Sequence, residues 1–186
     1  MHTDASSARK MDRKRIALLG LLLLVAAYAH NLFHEFGHWL VGTILGNQMS
    51  MSLDGTWPTS GGYHQEWHSP AVGIGGPAFS ILMALIAFIF VEKRRTVFAF
   101  PFLFFPLFSR LFALTLGGFA AQDEAGISAS LEFGKYTAAI IVCSILLALV
   151  WKGSLTLKFG FIAINGWILG STVCMLMVIN THKLFR

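Results

Sequence analysis

Charge is scarce in this chain. Only 12% of its 186 residues are Asp, Glu, Lys or Arg, whereas 55% are hydrophobic and the mean hydropathy is +0.66. A soluble domain carries about twice that charged fraction, so a soluble globular protein is excluded. Cysteine is nearly absent. Cys143 and Cys174 both fall inside apolar runs, which argues against a disulfide framework and against a zinc site built on thiolates. Two small buried apolar side chains is the simplest account of them. The net charge of +5 comes with no Arg-rich groove and interleaved aromatics outside the apolar runs, so nucleic acid is not an expected partner. No internal repeat and no low-complexity linker is present.

What fills the chain instead is a series of long apolar segments, and 17 of its residues are Phe. They predict an all-α fold, a polytopic membrane bundle of about five transmembrane helices. The expected spans are residues 16–45, 71–91, 96–119, 135–151 and 157–180. The third is interrupted by Pro101, Pro106 and Arg110. The first run would make a helix roughly 45 Å long, more than a bilayer core needs, so it must tilt, kink or project. Its basic start and the triplet Ala27-Tyr28-Ala29 also resemble a cleavable signal peptide, with His30 as the first residue after cleavage. Against that, the apolar character continues through Phe33, Phe36, Leu40 and Ile44 without a turn residue.

The cations sort to one side. Arg9, Lys10, Arg13, Lys14 and Arg15 precede the first span, Lys93, Arg94 and Arg95 follow the second, and Lys152 and Lys158 flank the last short connection. Residues 46–70 contain no Lys or Arg, although they hold the turn formers Asp54, Gly55, Pro58, Gly61 and Gly62. The positive-inside bias then places the N-terminus in the cytoplasm and the C-terminus outside. Lys183 and Arg186 run counter to it. A multi-pass protein of the cell (inner) membrane is expected, with residues 1–15 as a basic cytoplasmic tail, 16–180 as the membrane domain and 181–186 as a C-terminal tail.

Chemistry concentrates at His34-Glu35-Phe36-Gly37-His38. Two histidines four apart share a helix face, so both imidazoles can reach one metal ion, with Glu35 beside them to take a proton from water. Ionisable groups at membrane depth are costly and usually functional. A catalytic zinc takes three protein ligands and leaves one position open. The candidates for the third are Asp123, Glu124, His30, His64 and His68. His30, His34 and His38 form a row about 12 Å long, too long for one ion to take both ends. Asp123 and Glu124 come from a separate element after Gly117-Gly118, and Asp123 is favoured. The expected topology puts His34, His38, the Gly73-Ile74-Gly75-Gly76-Pro77 start of the second span and Asp123-Glu124 at one membrane depth.

Other features have plainer readings beside functional ones. His64 and His68 are also four apart, but in a turn-rich segment. An exposed loop with Trp57 and Trp67 at the interface competes there with a second metal site or a lid. The Gly73–Pro77 glycines allow close backbone approach or ordinary small-residue packing. Arg110 has no acid near it in sequence. Pairing with Asp123, Glu124 or a carbonyl freed near Pro106 competes with an oxyanion role.

H-E-F-G-H in an apolar helix resembles the H-E-x-G-H of the site-2 protease family of intramembrane zinc metalloproteases. Gly73-Ile74-Gly75-Gly76-Pro77-Ala78 is similar to the G-x-x-x-N/G-P-x-A-like segment that follows in that family. The resemblance covers roughly residues 23–124. It implies Zn²⁺ as cofactor, His34 and His38 as ligands, Glu35 as general base, a later carboxylate as third ligand and a strand-like loop between the first two spans. It also implies that residues 16–180 form a metalloprotease-like domain whose substrate is a transmembrane or membrane-proximal polypeptide within the lipid bilayer. The family's N-P-x-x-D-G motif is missing, and Gln122-Asp123-Glu124-Ala125-Gly126 stands in its place. No PDZ-like insertion is present. The competing expectations are a non-proteolytic zinc-binding scaffold or metal-handling protein, and a plain helical membrane protein with structural histidines.

Overall fold

The computed structural model describes residues 13–53 and 55–184. Most of the expected basic tail, the turn residue Asp54 and the last two residues lie outside that range. Six α-helices and one short hairpin follow in order: α1 (Arg13–Ile44), β1 (Met49–Met51), β2 (Thr56–Pro58), α2 (His68–Arg94), α3 (Phe100–Leu116), α4 (Asp123–Leu131), α5 (Thr137–Thr156) and α6 (Phe161–Leu184). The fold is an all-α bundle. Five helices are long and apolar enough to cross a membrane, and α4 is the short exception.

α1 is one unbroken helix of 32 residues, roughly 48 Å at 1.5 Å per residue. It runs straight through Ala27-Tyr28-Ala29, and Leu23, Ala26 and Ala27 are buried against α2, α3 and α6. α2 starts three residues before the expected span and ends at Arg95, whose left-handed backbone (φ 48°) and amide bond to the Val91 carbonyl close it. Pro101 sits in the first turn of α3, where a missing N–H costs nothing. α3 is the most enclosed span, with Phe100, Leu103 and Phe105 fully buried. It stands between a core shared with α2 and α5 and a second core shared with α1, α2 and α6. Large apolar side chains such as Leu21, Leu147 and Ile162 face outward, as lipid contact requires.

Three expectations on extent need correction. The stretch between the third and fourth expected spans, residues 120–134, is not only a connection: residues 123–131 form α4. Gln122 is extended, and Asp123 and Glu124 occupy the first turn, where carboxylates suit the positive end of the helix dipole. The fourth span continues past Trp151 to Thr156, and α6 continues beyond residue 180 into the expected tail. The strand-like segment is a minimal antiparallel hairpin pairing Met49 with Pro58, Ser50 with Trp57 and Met51 with Thr56.

Without a hydrophobic driving force between spans in lipid, close packing of small residues decides which helices meet. α1 and α2 cross backbone to backbone. A Cβ on Gly37 would lie 2.4 Å from the Gly75 carbonyl oxygen, and a Cβ on Gly75 would lie 2.4 Å from that of Gly37. Gly37→Ala is therefore expected to force the two helices apart and to cost about 1–3 kcal/mol, read as a lowered Tm of the purified protein in detergent. Gly20→Ala, whose new methyl meets nothing within 4 Å, is the control and should leave Tm nearly unchanged.

Candidate metal centre

The glycine crossing lays the His34–His38 face of α1 against the first half of α2. His38 Nδ1 lies 2.7 Å from the Val72 carbonyl oxygen. A carbonyl can only accept, so the proton is on Nδ1. The Gly76 amide lies near the same nitrogen at 3.3 Å, the longer and weaker contact. His34 Nδ1 lies 3.0 Å from Ser80 Oγ. The Ser80 hydroxyl donates its one proton to the Gly76 carbonyl, which leaves its oxygen to accept from His34 Nδ1–H. Both rings are thus held in the tautomer that presents a lone pair on Nε2.

Those two lone pairs converge. His34 Nε2 and His38 Nε2 are 3.2 Å apart, and Asp123 Oδ2 lies 3.0 Å from the first and 3.5 Å from the second. Three acceptors in contact repel one another unless a cation or a shared proton sits between them. Ligand atoms about 2.0–2.1 Å from a tetrahedral zinc ion are about 3.3 Å from each other, which the three separations match. The donor set of two imidazoles and one carboxylate suits zinc. Gly76 leaves the room: a Cβ there would lie 2.3 Å from His38 Nε2 and 2.6 Å from His34 Nε2. The residues present fit a bound metal ion.

Glu35 stands next to this cluster. One of its carboxylate oxygens lies within 4.8 Å of a ring nitrogen of both His34 and His38. The Thr56 hydroxyl, on β2, is 3.0 Å from Glu35 Oε2 and 3.0 Å from the Glu35 carbonyl oxygen. The hairpin thereby fixes the side chain that the sequence singles out as a base. These groups line a polar cavity of about 510 Å³, walled also by Asn31, Tyr63 and Gln122. Burial pushes the Tyr63 phenol up from its ordinary value, so it remains an O–H group at neutral pH.

Asp123 is carried by the first turn of α4 and braced from α3. Arg110 Nη1 donates to both Glu124 oxygens at 3.1 Å each and lies 3.6 Å from Asp123 Oδ2. Arg110 and Glu124 are both buried, where each charge needs the other. Burial alone would raise the Asp123 pKa. A proton shared between its Oδ2 and the Nε2 atoms of His34 and His38 outweighs that and holds the carboxyl well below the usual range. The group is therefore an anion at any working pH.

The remaining sequence candidates do not join the cluster. Glu124 is taken by Arg110. His30 is buried one turn from His34, with ring centroids 6.0 Å apart, and its Nδ1 has no hydrogen-bond partner among the described residues. His64 and His68 are part of a different device. His68 is buried at the start of α2, 3.0 Å from Asn47 Nδ2, and the His64 amide donates to Asn47 Oδ1. Asn47 Nδ2 also reaches the Gly42 carbonyl, so this knot ties the end of α1 to the start of α2. Trp57 and Trp67 are exposed as expected, but His68 is not. Ser80 and Thr56 were not singled out by sequence. Ser80 lies four residues after Gly76, a helical spacing that could have revealed it. Thr56 has no such signal.

No protein-family model, curated protein or solved structure matches this chain.

Two substitutions probe the centre. Gly76→Ala should abolish zinc binding in a chelator-competition titration while the far-UV circular dichroism stays helical, because the new methyl takes the space between the rings. Arg110→Gln should weaken zinc by about 10–100-fold, the usual effect of losing a group that orients a ligand, through release of Asp123.

Proposed function

We propose that the chain is a small, divergent, site-2-protease-like metalloprotease that hydrolyses peptide bonds of transmembrane or membrane-proximal polypeptides. The observation that carries this reading is the convergence of His34 Nε2, His38 Nε2 and Asp123 Oδ2 within 3.0–3.5 Å, with both imidazole protons committed elsewhere and a carboxylate alongside.

In this reading His34, His38 and Asp123 hold Zn²⁺. The ion would supply Lewis acidity, polarising a scissile carbonyl and making water acidic enough to ionise near neutral pH. Val72 and Ser80 keep the rings in the ligating tautomer. Glu35, anchored by Thr56, takes the proton from the attacking water and passes it to the departing amine. Metal binding alone needs no such group, which favours an enzyme over a metal-holding scaffold. The substrate reaches the cavity as an unwound segment, since an intact helix keeps its carbonyls hydrogen-bonded. The sheet beside Glu35 has two strands among the described residues, and the edge of a sheet can pair with an extended chain. The basic ends of the spans support a cytoplasmic N-terminus in the cell membrane, with the cavity toward the outer face.

Glu35→Gln decides between an enzyme and a scaffold. With purified protein and a transmembrane peptide in detergent, cleavage should fall by about 100-fold or more while zinc content is unchanged. Cleavage at the wild-type rate would overturn the reading. A wild-type protein that holds zinc and cleaves no membrane peptide would be the scaffold instead.

A further inference from the structure

α1 and α6 run side by side from the same end of the bundle but touch over only part of their length. They meet where Gly170 packs on Leu23, with a Gly170 Cβ position 2.9 Å from Leu23 Cδ2. Further along, the Tyr28 and Thr181 hydroxyls hydrogen-bond at 2.6 Å. Toward their starts the helices part. Gly20, Gly160 and Gly166 have no atom within 4 Å of where a Cβ would lie. The result is an apolar groove of about 620 Å³ between Leu19 and Leu23 on one side and Ala163 and Trp167 on the other, with Val97 and Phe159 also in its lining.

Positive charge gathers beside Val97 and Phe159. The Arg15 guanidinium lies 5.8 Å from the centre of the Phe98 ring, beside Val97. Lys158, exposed and in a left-handed conformation (φ 55°), directly precedes Phe159. Arg13, Lys14, Lys93, Arg94, Arg95 and Lys152 lie at the start of α1 and near the ends of α2 and α5, on the same side of the bundle. The one acid among the described residues there is Glu92, which accepts a hydrogen bond from the Thr156 hydroxyl. An apolar slot under a cationic rim is complementary to a molecule with a hydrocarbon chain and an anionic head.

We propose that this groove is a binding site for an anionic phospholipid, with an acyl chain between α1 and α6 and the phosphate held by Arg15 and Lys158. A chain of methylenes fills it and exchanges no polar group for lipid contact. The site lies at the opposite end of α1 from the metal centre and does not depend on the proposed chemistry.

Native mass spectrometry of the detergent-purified protein tests this, using phosphatidylglycerol and phosphatidylcholine with identical acyl chains. Phosphatidylglycerol should be retained roughly tenfold more tightly. Arg15→Gln combined with Lys158→Gln should remove that preference, whereas Lys135→Gln, beyond the other end of the bundle, should keep it. Gly166→Leu fills the slot and should expel both lipids. Equal retention of the two lipids by the wild type, or a preference that survives the double substitution, would overturn the proposal. So would a bound second copy or foreign peptide in place of lipid. Both substituted cations are exposed, so the double variant decides the matter even if Gly166→Leu fails to fold.

Discussion

Two helices can share a set of hydrogen bonds only if their backbones come close enough, and here that closeness rests on Gly37 and Gly75. Each leaves room for the carbonyl of the other. With any larger residue at the crossing, the Val72 carbonyl and Ser80 hydroxyl would move out of reach of His38 and His34. The rings would then lose both their orientation and their tautomer. Gly76 extends the same logic by one residue, since it leaves open the space onto which the two Nε2 atoms look. Packing and chemistry therefore use the same stretch of α2, and neither can be altered alone.

A second constraint comes from α4. An aspartate in the first turn of a short helix outside the long spans is not held at a fixed depth by that helix alone. Arg110 supplies the hold by gripping Glu124, the residue next to Asp123, and by lying near Asp123 itself. Burying such a pair is expensive, and the same interior could be filled more cheaply by apolar side chains. Its retention makes sense where position matters more than stability. The hairpin has a similar part on the other side, where Thr56 restrains Glu35. Two small elements outside the spans thus set the two carboxylates that flank the imidazoles.

Much of this was legible in the residues, for reasons that can be named. Apolar runs of twenty residues leave little choice but helix, and His34 and His38 at a spacing of four share a face in any helix. The placement of the cations along the chain puts Asp123 at the same level as the histidines. Other features were hidden because tertiary contacts decide them. Residues 123–131 are short and without hydrophobic periodicity, so nothing in them marks a helix, yet Asp123 and Glu124 suit a helix start and Arg110 grips Glu124. His68 reads as exposed beside Trp67 but is drawn inward by Asn47. Arg110 could be seen to need a partner, and sequence alone left Glu124, Asp123 and a free carbonyl open.

The order in which the chain is made gives the separation of the three converging groups a further meaning. His34 and His38 are synthesised first, and Asp123 follows only after α2 and α3 have been made. Until α4 docks, the two imidazoles lack the carboxylate that completes the cluster. A nascent or misassembled copy therefore lacks the three-group cluster, because completing it requires α3 and α4 to be in place first.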